Sequence, residues 1–132
     1  MPRIQAPAGA PPVLVVDDDP DARWLLETLL TEAGYVVSEA SNADDALRRL
    51  ADRPDIQAML TDIQMPGTMD GFELAMRVNR QSPEIAVLLT SGREHPDANA
   101  LPAGMKFLLK PWAPAEMLDQ LELLLNGKQG AA

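Results

Sequence analysis

The first patterned segment of the chain reads VLVVDDDP at residues 13–20. Four consecutive apolar residues are typical of a parallel strand that is covered on both faces. Asp17, Asp18 and Asp19 follow this run, and Pro20 suits the first turn of a helix that Asp19 can cap. The segment therefore predicts a strand that leads directly into a helix, with carboxylates at the junction.

The alternation of strand and helix continues along the chain. Four further segments are predicted to be strands: 35–40, 58–60, 86–89 and 107–109. Amphipathic stretches between them predict helices, one closed by Gly34, one after a capping box of Ser41 with Asp44, and two at 72–81 and 114–126. On the last helix Leu118, Leu121 and Leu125 form the apolar stripe, and Met117 and Leu123 are expected to lie off it.

This order of elements predicts an α/β fold, a doubly wound sheet of five parallel strands with helices on both faces. One helix is expected to be short or irregular. Between the fourth and fifth strands, the segment 92–104 contains Pro96, Pro102 and two terminal glycines, which disfavour a regular helix.

Composition limits both the organisation and the class of the protein. The chain has 132 residues, no cysteine, and 11 basic against 20 acidic residues, giving a formal net charge of −9. One domain is expected at 12–127, between flexible tails at 1–11 and 128–132. The charge disfavours nucleic acid and anionic membranes as partners, and the lack of cysteine excludes thiolate zinc sites and cysteine nucleophiles. No apolar run is long enough to cross a bilayer, so a cytoplasmic location is expected.

Polar residues follow the predicted strands where a doubly wound sheet binds its ligands, at the carboxyl ends. Asp17 and Asp18 end the first strand, Asp62 the third, Thr90 the fourth and Lys110 the fifth. Clustered carboxylates favour a hard cation such as Mg²⁺, and an aspartate can act as a nucleophile toward phosphorus. A lysine and a hydroxyl can neutralise the remaining phosphoryl oxygens. The set predicts phosphoryl transfer onto a carboxylate.

Four motifs, in order, resemble the receiver domain of two-component response regulators, and the resemblance covers nearly all of 12–127. The motifs are VLVVDD at 13–18, LTDIQMP at 60–66 leading into MDG at 69–71, LTSG at 89–92, and FLLKPW at 107–112. The loop 65–71 is one residue longer than the commonest form, which is similar to receivers attached to hybrid histidine kinases. The resemblance implies a flavodoxin-like sheet with strand order 2-1-3-4-5.

The resemblance also implies roles for individual residues. Asp62 is the implied phosphoacceptor, and Asp17 and Asp18 hold Mg²⁺ together with Asp62 and the main-chain carbonyl of Gln64. Lys110 contacts the phosphoryl group. The implied switch residues are Thr90 and Phe107, and Pro111 is expected to follow a cis peptide bond.

The implied partners are a histidine kinase or histidine phosphotransfer protein and a downstream protein target. Trp24 and Trp112 are candidate docking residues, and a homodimer is left open. The protein would not be an enzyme, apart from promoting its own aspartyl phosphorylation and dephosphorylation in a phosphorelay.

Two other functions are left open by the sequence. The Asp17–Asp19 run superficially offers the Asp-x-Asp of haloacid-dehalogenase-type phosphatases, in which Asp17 would be the nucleophile of a Mg²⁺-dependent hydrolase. Alternatively, the fold could serve as a scaffold that binds a partner without phosphorylation, although the acidic pair, acceptor, threonine and lysine are all present.

Overall fold

The computed structural model describes residues 11–93 and 100–130. Five strands form one parallel sheet in the order β2-β1-β3-β4-β5, as predicted. The strands are β1 (Pro12–Val16), β2 (Val36–Ala40), β3 (Ala58–Asp62), β4 (Ala86–Ser91) and β5 (Met105–Leu109). The helices are α1 (Pro20–Glu32), α2 (Ala43–Asp52), α3 (Gly71–Gln81) and α4 (Pro114–Gly130). The predicted doubly wound α/β fold is confirmed.

The sheet separates two apolar cores, because alternate side chains of a strand point to opposite faces. Val13 and Val15 face the first core, which packs against α1 and α4. Leu14 and Val16 face the second core, which packs against α2 and α3. All four side chains are fully buried. The continuous apolar run at the start of the chain is therefore explained by helices that cover both faces of β1.

The helix ends show where the sequence interpretation was right and where it was wrong. Asp19 caps α1 as predicted, because its side chain accepts a hydrogen bond from the Asp21 N–H. For α2 the predicted cap at Ser41 is wrong. The cap is Asn42, whose Oδ1 accepts from the Asp45 N–H at 2.7 Å. The predicted motif was therefore shifted by one residue from the real one.

Helix α4 differs from its prediction in two respects. Met117, expected to lie off the apolar stripe, is fully buried in the first core, whereas Leu123 is exposed as expected. The helix also continues to Gly130, past the predicted domain end at Gly127. Of the predicted tails, 1–10 and 131–132 lie outside the described residues.

The segment between β4 and β5 forms no α-helix in its described parts, 92–93 and 100–104. The short or irregular helix predicted there would involve residues 94–99, which lie outside the described residues. The peptide bond between Lys110 and Pro111, just after β5, is cis as predicted.

Helix α3 begins with a complete capping box, whose contribution to stability can be measured by substitution. The Asp70 carboxylate accepts from the Glu73 N–H at 2.8 Å, and the Glu73 carboxylate accepts from the Asp70 N–H at 3.1 Å. Asp70→Ala is expected to lower the free energy of unfolding by about 1 kcal/mol, because a helix N–H loses its acceptor. Urea denaturation measures the change. Asp70→Asn keeps a capping oxygen and serves as the control; an equal loss in both variants would contradict the capping role.

Candidate functional site

The polar residues predicted at the strand ends meet at one edge of the sheet. Asp17 directly follows β1, Asp62 ends β3, Thr90 lies next to the end of β4, and Lys110 directly follows β5. The register pairs Asp62 with Thr90 on the neighbouring strand. Parallel strands present their carboxyl ends on the same side, so the topology alone brings these residues together.

Three carboxylates form a compact group, called here the acidic cluster: Asp17, Asp18 and Asp62. Each offers one oxygen, and the three oxygens lie within 4.8 Å of one another. Asp17 and Asp62 are buried, and Asp18 is exposed. Lys110 Nζ donates to Asp62 Oδ1 at 3.2 Å, which sets one positive charge against three negative ones. Oxygen donors of this kind and number suit Mg²⁺, so the residues present fit that cation.

Burial disfavours the charged forms of two members of the acidic cluster, Asp17 and Asp62. Burial raises the pKa of the Asp62 carboxyl above its ordinary value of 3.8, although the nearby Lys110 ammonium opposes the shift. Burial also raises the pKa of Asp17, whereas the hydrogen bond that its carboxylate accepts from the Asp19 N–H lowers this pKa. The negative charge of Asp62 adds to the shift at Asp17. A bound cation would remove this repulsion.

Two main-chain contacts place the Asp62 side chain at the edge. The N–H of Ile63 donates to the Thr90 carbonyl at 2.9 Å, which prolongs the pairing of β3 with β4 beyond Asp62. The N–H of Gly71 donates to the Ile63 carbonyl at 2.9 Å, which brings the start of α3 against the same turn. A Cβ atom at residue 71 would lie 1.8 Å from the Asp62 carbonyl oxygen. Only glycine allows this approach of the two backbones.

A cleft of about 300 Å³ opens beside the acidic cluster. Its polar lining residues are Asp17, Thr90 and Lys110. Leu25 and Trp112 are among its apolar lining residues. Thr90, the predicted switch residue, is buried, lines this cleft with Asp17 and pairs with Asp62 in the sheet.

The remaining predicted site residues lie around this group. Gln64 follows Asp62 by two residues, and its side-chain oxygen accepts from Ser91 Oγ at 2.8 Å. Phe107 is partly buried against the second core and is not in the cleft. Trp24 on α1 is 64% exposed. Trp112 packs partly against the first core, and its Nε1 is buried without a hydrogen-bond partner among the described residues. The functional roles assigned to these four residues stay predictions.

Arg23 was missed by the sequence interpretation, although it contacts the site directly. Its Nη1 donates to the main-chain carbonyl of Asp17 at 2.8 Å. A signal was present in the sequence. A positive charge in the first turn of a helix interacts unfavourably with the helix dipole, which indicates that the side chain has a compensating partner. Nothing in the local pattern indicated that the partner is a carbonyl group on the preceding strand end.

Comparison with known proteins settles the family. A family model described as the response regulator receiver domain matches residues 13–122. The chain belongs to this family. It is therefore a receiver domain of two-component systems. Within the described residues, no helix of this receiver domain is both long and apolar enough to cross a membrane.

The receiver domain is similar over most of its length to a curated relative and to a solved receiver domain. It is 35% identical to the response regulator receiver protein CpdR of Brucella abortus (strain 2308) over 117 residues, which cover 86% of this chain and 95% of that protein. The solved signal receiver domain of an HD domain-containing protein from Pseudomonas fluorescens Pf-5 is 29% identical, with a TM-score of 0.83 and coverage of 92% and 98%.

A third relative was solved with a ligand. The response regulator protein TrrA of Thermotoga maritima is 27% identical, with a TM-score of 0.77, and the similarity covers 87% of this receiver domain and 99% of that chain. That structure is a complex with Mg²⁺ and BeF.

The raised pKa of Asp17 predicts the direction of a stability change. A carboxyl whose pKa is higher in the folded receiver domain than in the unfolded chain stabilises the fold in its protonated form, and this contribution is lost as the pH rises through the folded pKa. Without Mg²⁺ at neutral pH, Asp17→Asn is therefore expected to have a higher melting temperature than the wild type. The difference should shrink as the pH falls toward 3.8.

Thermal melts at several pH values, in EDTA and in Mg²⁺, check this expectation. Addition of Mg²⁺ should raise the melting temperature of the wild type more than that of Asp17→Asn, because a ligand stabilises the state that binds it. A variant that is less stable than the wild type at neutral pH in EDTA would contradict the assigned cost of the buried charge.

Proposed function

We propose that this receiver domain accepts a phosphoryl group on Asp62 from a phosphohistidine donor and thereby changes its contacts with other proteins. One observation carries the proposal: the Asp62 carboxylate accepts from the Lys110 ammonium at 3.2 Å and has an oxygen within 4.8 Å of oxygens of Asp17 and Asp18. A nucleophile, a positive charge and a set of cation ligands are the parts that phosphoryl transfer requires.

In the proposed reaction an Asp62 carboxylate oxygen attacks the phosphorus of a phosphoimidazole. The new O–P bond forms as the P–N bond breaks, and the electron pair of that bond stays on the imidazole nitrogen. Asp17 and Asp18, with Asp62 and the Gln64 carbonyl, would hold Mg²⁺. The cation supplies neutralisation of negative charge on the phosphoryl oxygens when it is bound.

The residues of the chain itself position and stabilise the transferred group. Lys110 Nζ, which already contacts Asp62, offers its donors to a second phosphoryl oxygen. The buried Thr90 hydroxyl at the cleft would donate to a third. We propose that this new contact draws the loop after β4 toward Asp62 and that Phe107, now partly buried, becomes more buried in the phosphorylated state.

The proposed donor is a histidine kinase or histidine phosphotransfer protein in the cytoplasm. Trp112 lines the cleft beside the acidic cluster and is a candidate contact for this partner. The exposed indole of Trp24 on α1 is a candidate anchor for the same partner. Each Asp62 accepts one phosphoryl group, which is later lost by hydrolysis of the aspartyl phosphate. The receiver domain therefore acts as a switch and not as an enzyme on an external substrate.

Intact-mass spectrometry after incubation with acetyl phosphate and Mg²⁺ tests the proposal. The expected result is a gain of the mass of one phosphoryl group, which disappears when EDTA is present. If acetyl phosphate, phosphoramidate and a phosphorylated histidine phosphotransfer protein all fail to produce an adduct, the proposal is overturned in favour of a scaffold. Continuous release of phosphate from small phosphomonoesters would instead favour the phosphatase.

A further inference from the structure

Arg23 joins three elements next to the acidic cluster. Its Nη1 donates to the Asp17 carbonyl at 2.8 Å, and its Nε donates to Glu39 Oε1 at 3.1 Å. Arg23 lies on α1, Asp17 at the end of β1, and Glu39 on β2. The Arg23 side chain is largely shielded, with 22% of its surface exposed. The guanidinium thus bridges a carbonyl and a carboxylate through two different nitrogen atoms.

The contact completes the hydrogen bonding of Asp17. Its N–H donates to the Ala40 carbonyl at 3.1 Å, and its Oδ1 accepts from the Asp19 N–H at 2.9 Å. The strand β1 has ended at Val16, and the Asp17 carbonyl accepts its hydrogen bond from Arg23. This carbonyl belongs to the planar peptide unit that joins Asp17 to Asp18. Fixing the carbonyl therefore fixes the direction in which the chain leaves toward Asp18.

We propose that Arg23 is a positioning residue: it holds the peptide between Asp17 and Asp18 so that both carboxylates face a divalent cation together with Asp62. The inference rests on the proposed function, because it concerns the same cation site. In this role Arg23 supports cation binding through its contact with the main chain and not through its charge.

The sign of the effect separates positioning from simple electrostatics. Arg23 carries a positive charge next to the Asp17 main chain, and charge repulsion alone would make it weaken the binding of another cation at the acidic cluster. Removal of Arg23 would then strengthen Mg²⁺ binding. If Arg23 positions the peptide, its removal weakens Mg²⁺ binding in spite of the lost repulsion. The two explanations predict changes in opposite directions.

The test is the Mg²⁺ dissociation constant, measured by calorimetric titration of the full chain. For Arg23→Met, which keeps most of the side-chain length and no donor, we expect affinity to fall about tenfold, as when a residue that orients a metal ligand is removed. Unchanged or tighter binding would overturn the proposal. Absence of Mg²⁺ binding to the wild-type protein would be a failure of the proposed function instead.

Two further variants complete the experiment. Arg23→Lys keeps the charge but replaces the two-nitrogen fork by a single ammonium, so weaker Mg²⁺ binding than in the wild type is expected. Wild-type affinity in Arg23→Lys would mean that the two-nitrogen bridge is not needed to hold the peptide, and it would overturn the proposal. A melting curve without Mg²⁺ shows whether Arg23→Met folds. If it does not fold, the Mg²⁺ affinity of Arg23→Lys tests the proposal instead.

Glu39→Gln is the matched control. It removes the negative charge that pairs with Arg23 but keeps an oxygen that can accept from Arg23 Nε, so unchanged Mg²⁺ affinity is expected. A loss as large as that of Arg23→Met would assign the effect to the ion pair with Glu39 and overturn the role of the Asp17 carbonyl contact.

Discussion

Asp62→Asn is expected to abolish the phosphoryl adduct completely. The amide has the size and shape of the carboxylate but lacks the anionic oxygen that attacks phosphorus. Lys110 would still find an acceptor in the Asn oxygen, so the edge of the sheet should keep its arrangement. Burial disfavours the charged form of Asp62, and the fold is therefore not expected to lose stability at neutral pH through this change.

The measurement is intact-mass spectrometry with acetyl phosphate and Mg²⁺, together with a beryllofluoride titration. Asp19→Asn is the matched control. Asp19 is an exposed neighbour of the acidic cluster, and Asn caps a helix as well as Asp, so this variant should form the adduct normally. An adduct that persists in Asp62→Asn would contradict the assignment of the acceptor. Loss of phosphatase turnover in Asp17→Asn with normal turnover in Asp62→Asn would favour the hydrolase.

Gly71→Ala is expected to cause the largest loss of stability. The added Cβ would lie 1.8 Å from the carbonyl oxygen and 2.7 Å from the carbonyl carbon of Asp62. Both atoms are main-chain atoms of a buried strand end, which cannot rotate away as a flexible side chain can. Either α3 must move outward or the peptide after Asp62 must shift. We expect a loss of about 3 kcal/mol in the free energy of unfolding, at the upper end for overpacking.

Urea denaturation of Gly71→Ala and of a second glycine variant checks this prediction. A Cβ at Gly127, in α4, meets no atom within 4 Å. Gly127→Ala is therefore expected to be neutral or to stabilise by up to about 1 kcal/mol, because alanine favours helix. Mg²⁺ affinity should also fall in Gly71→Ala, since Asp62 belongs to the displaced turn. Wild-type stability in Gly71→Ala would contradict the close approach of the two backbones.

The sequence predicted the fold and the centre of the site because both depend on repeating or topological features. The apolar runs identified the strands, and the parallel order alone placed Asp17, Asp62 and Lys110 at one edge. Contacts between elements were harder to predict. Met117 is buried because α4 packs broadly against the sheet, and a single helical stripe underestimates the width of that contact.

The details that could not be predicted depend on how the strands and helices are oriented relative to one another. The difference between Ser41 and Asn42 as the cap of α2 is one residue, and both are good capping residues, so only the exit of β2 decides between them. The partners of Arg23 come from the ends of two other elements, and no local sequence pattern encodes them. The close approach at Gly71 likewise depends on where α3 returns to β3.

The two tryptophans of the chain lie in contrasting surroundings, which gives the molecule an optical reporter of its own. The indole of Trp24 is in water, whereas that of Trp112 lines the cleft with Lys110 and has a shielded N–H. Emission from Trp24 should be red-shifted and insensitive to events at Asp62, while emission from Trp112 should follow them. In a Trp24→Phe background, occupation of the acidic edge would be visible in real time without any attached dye.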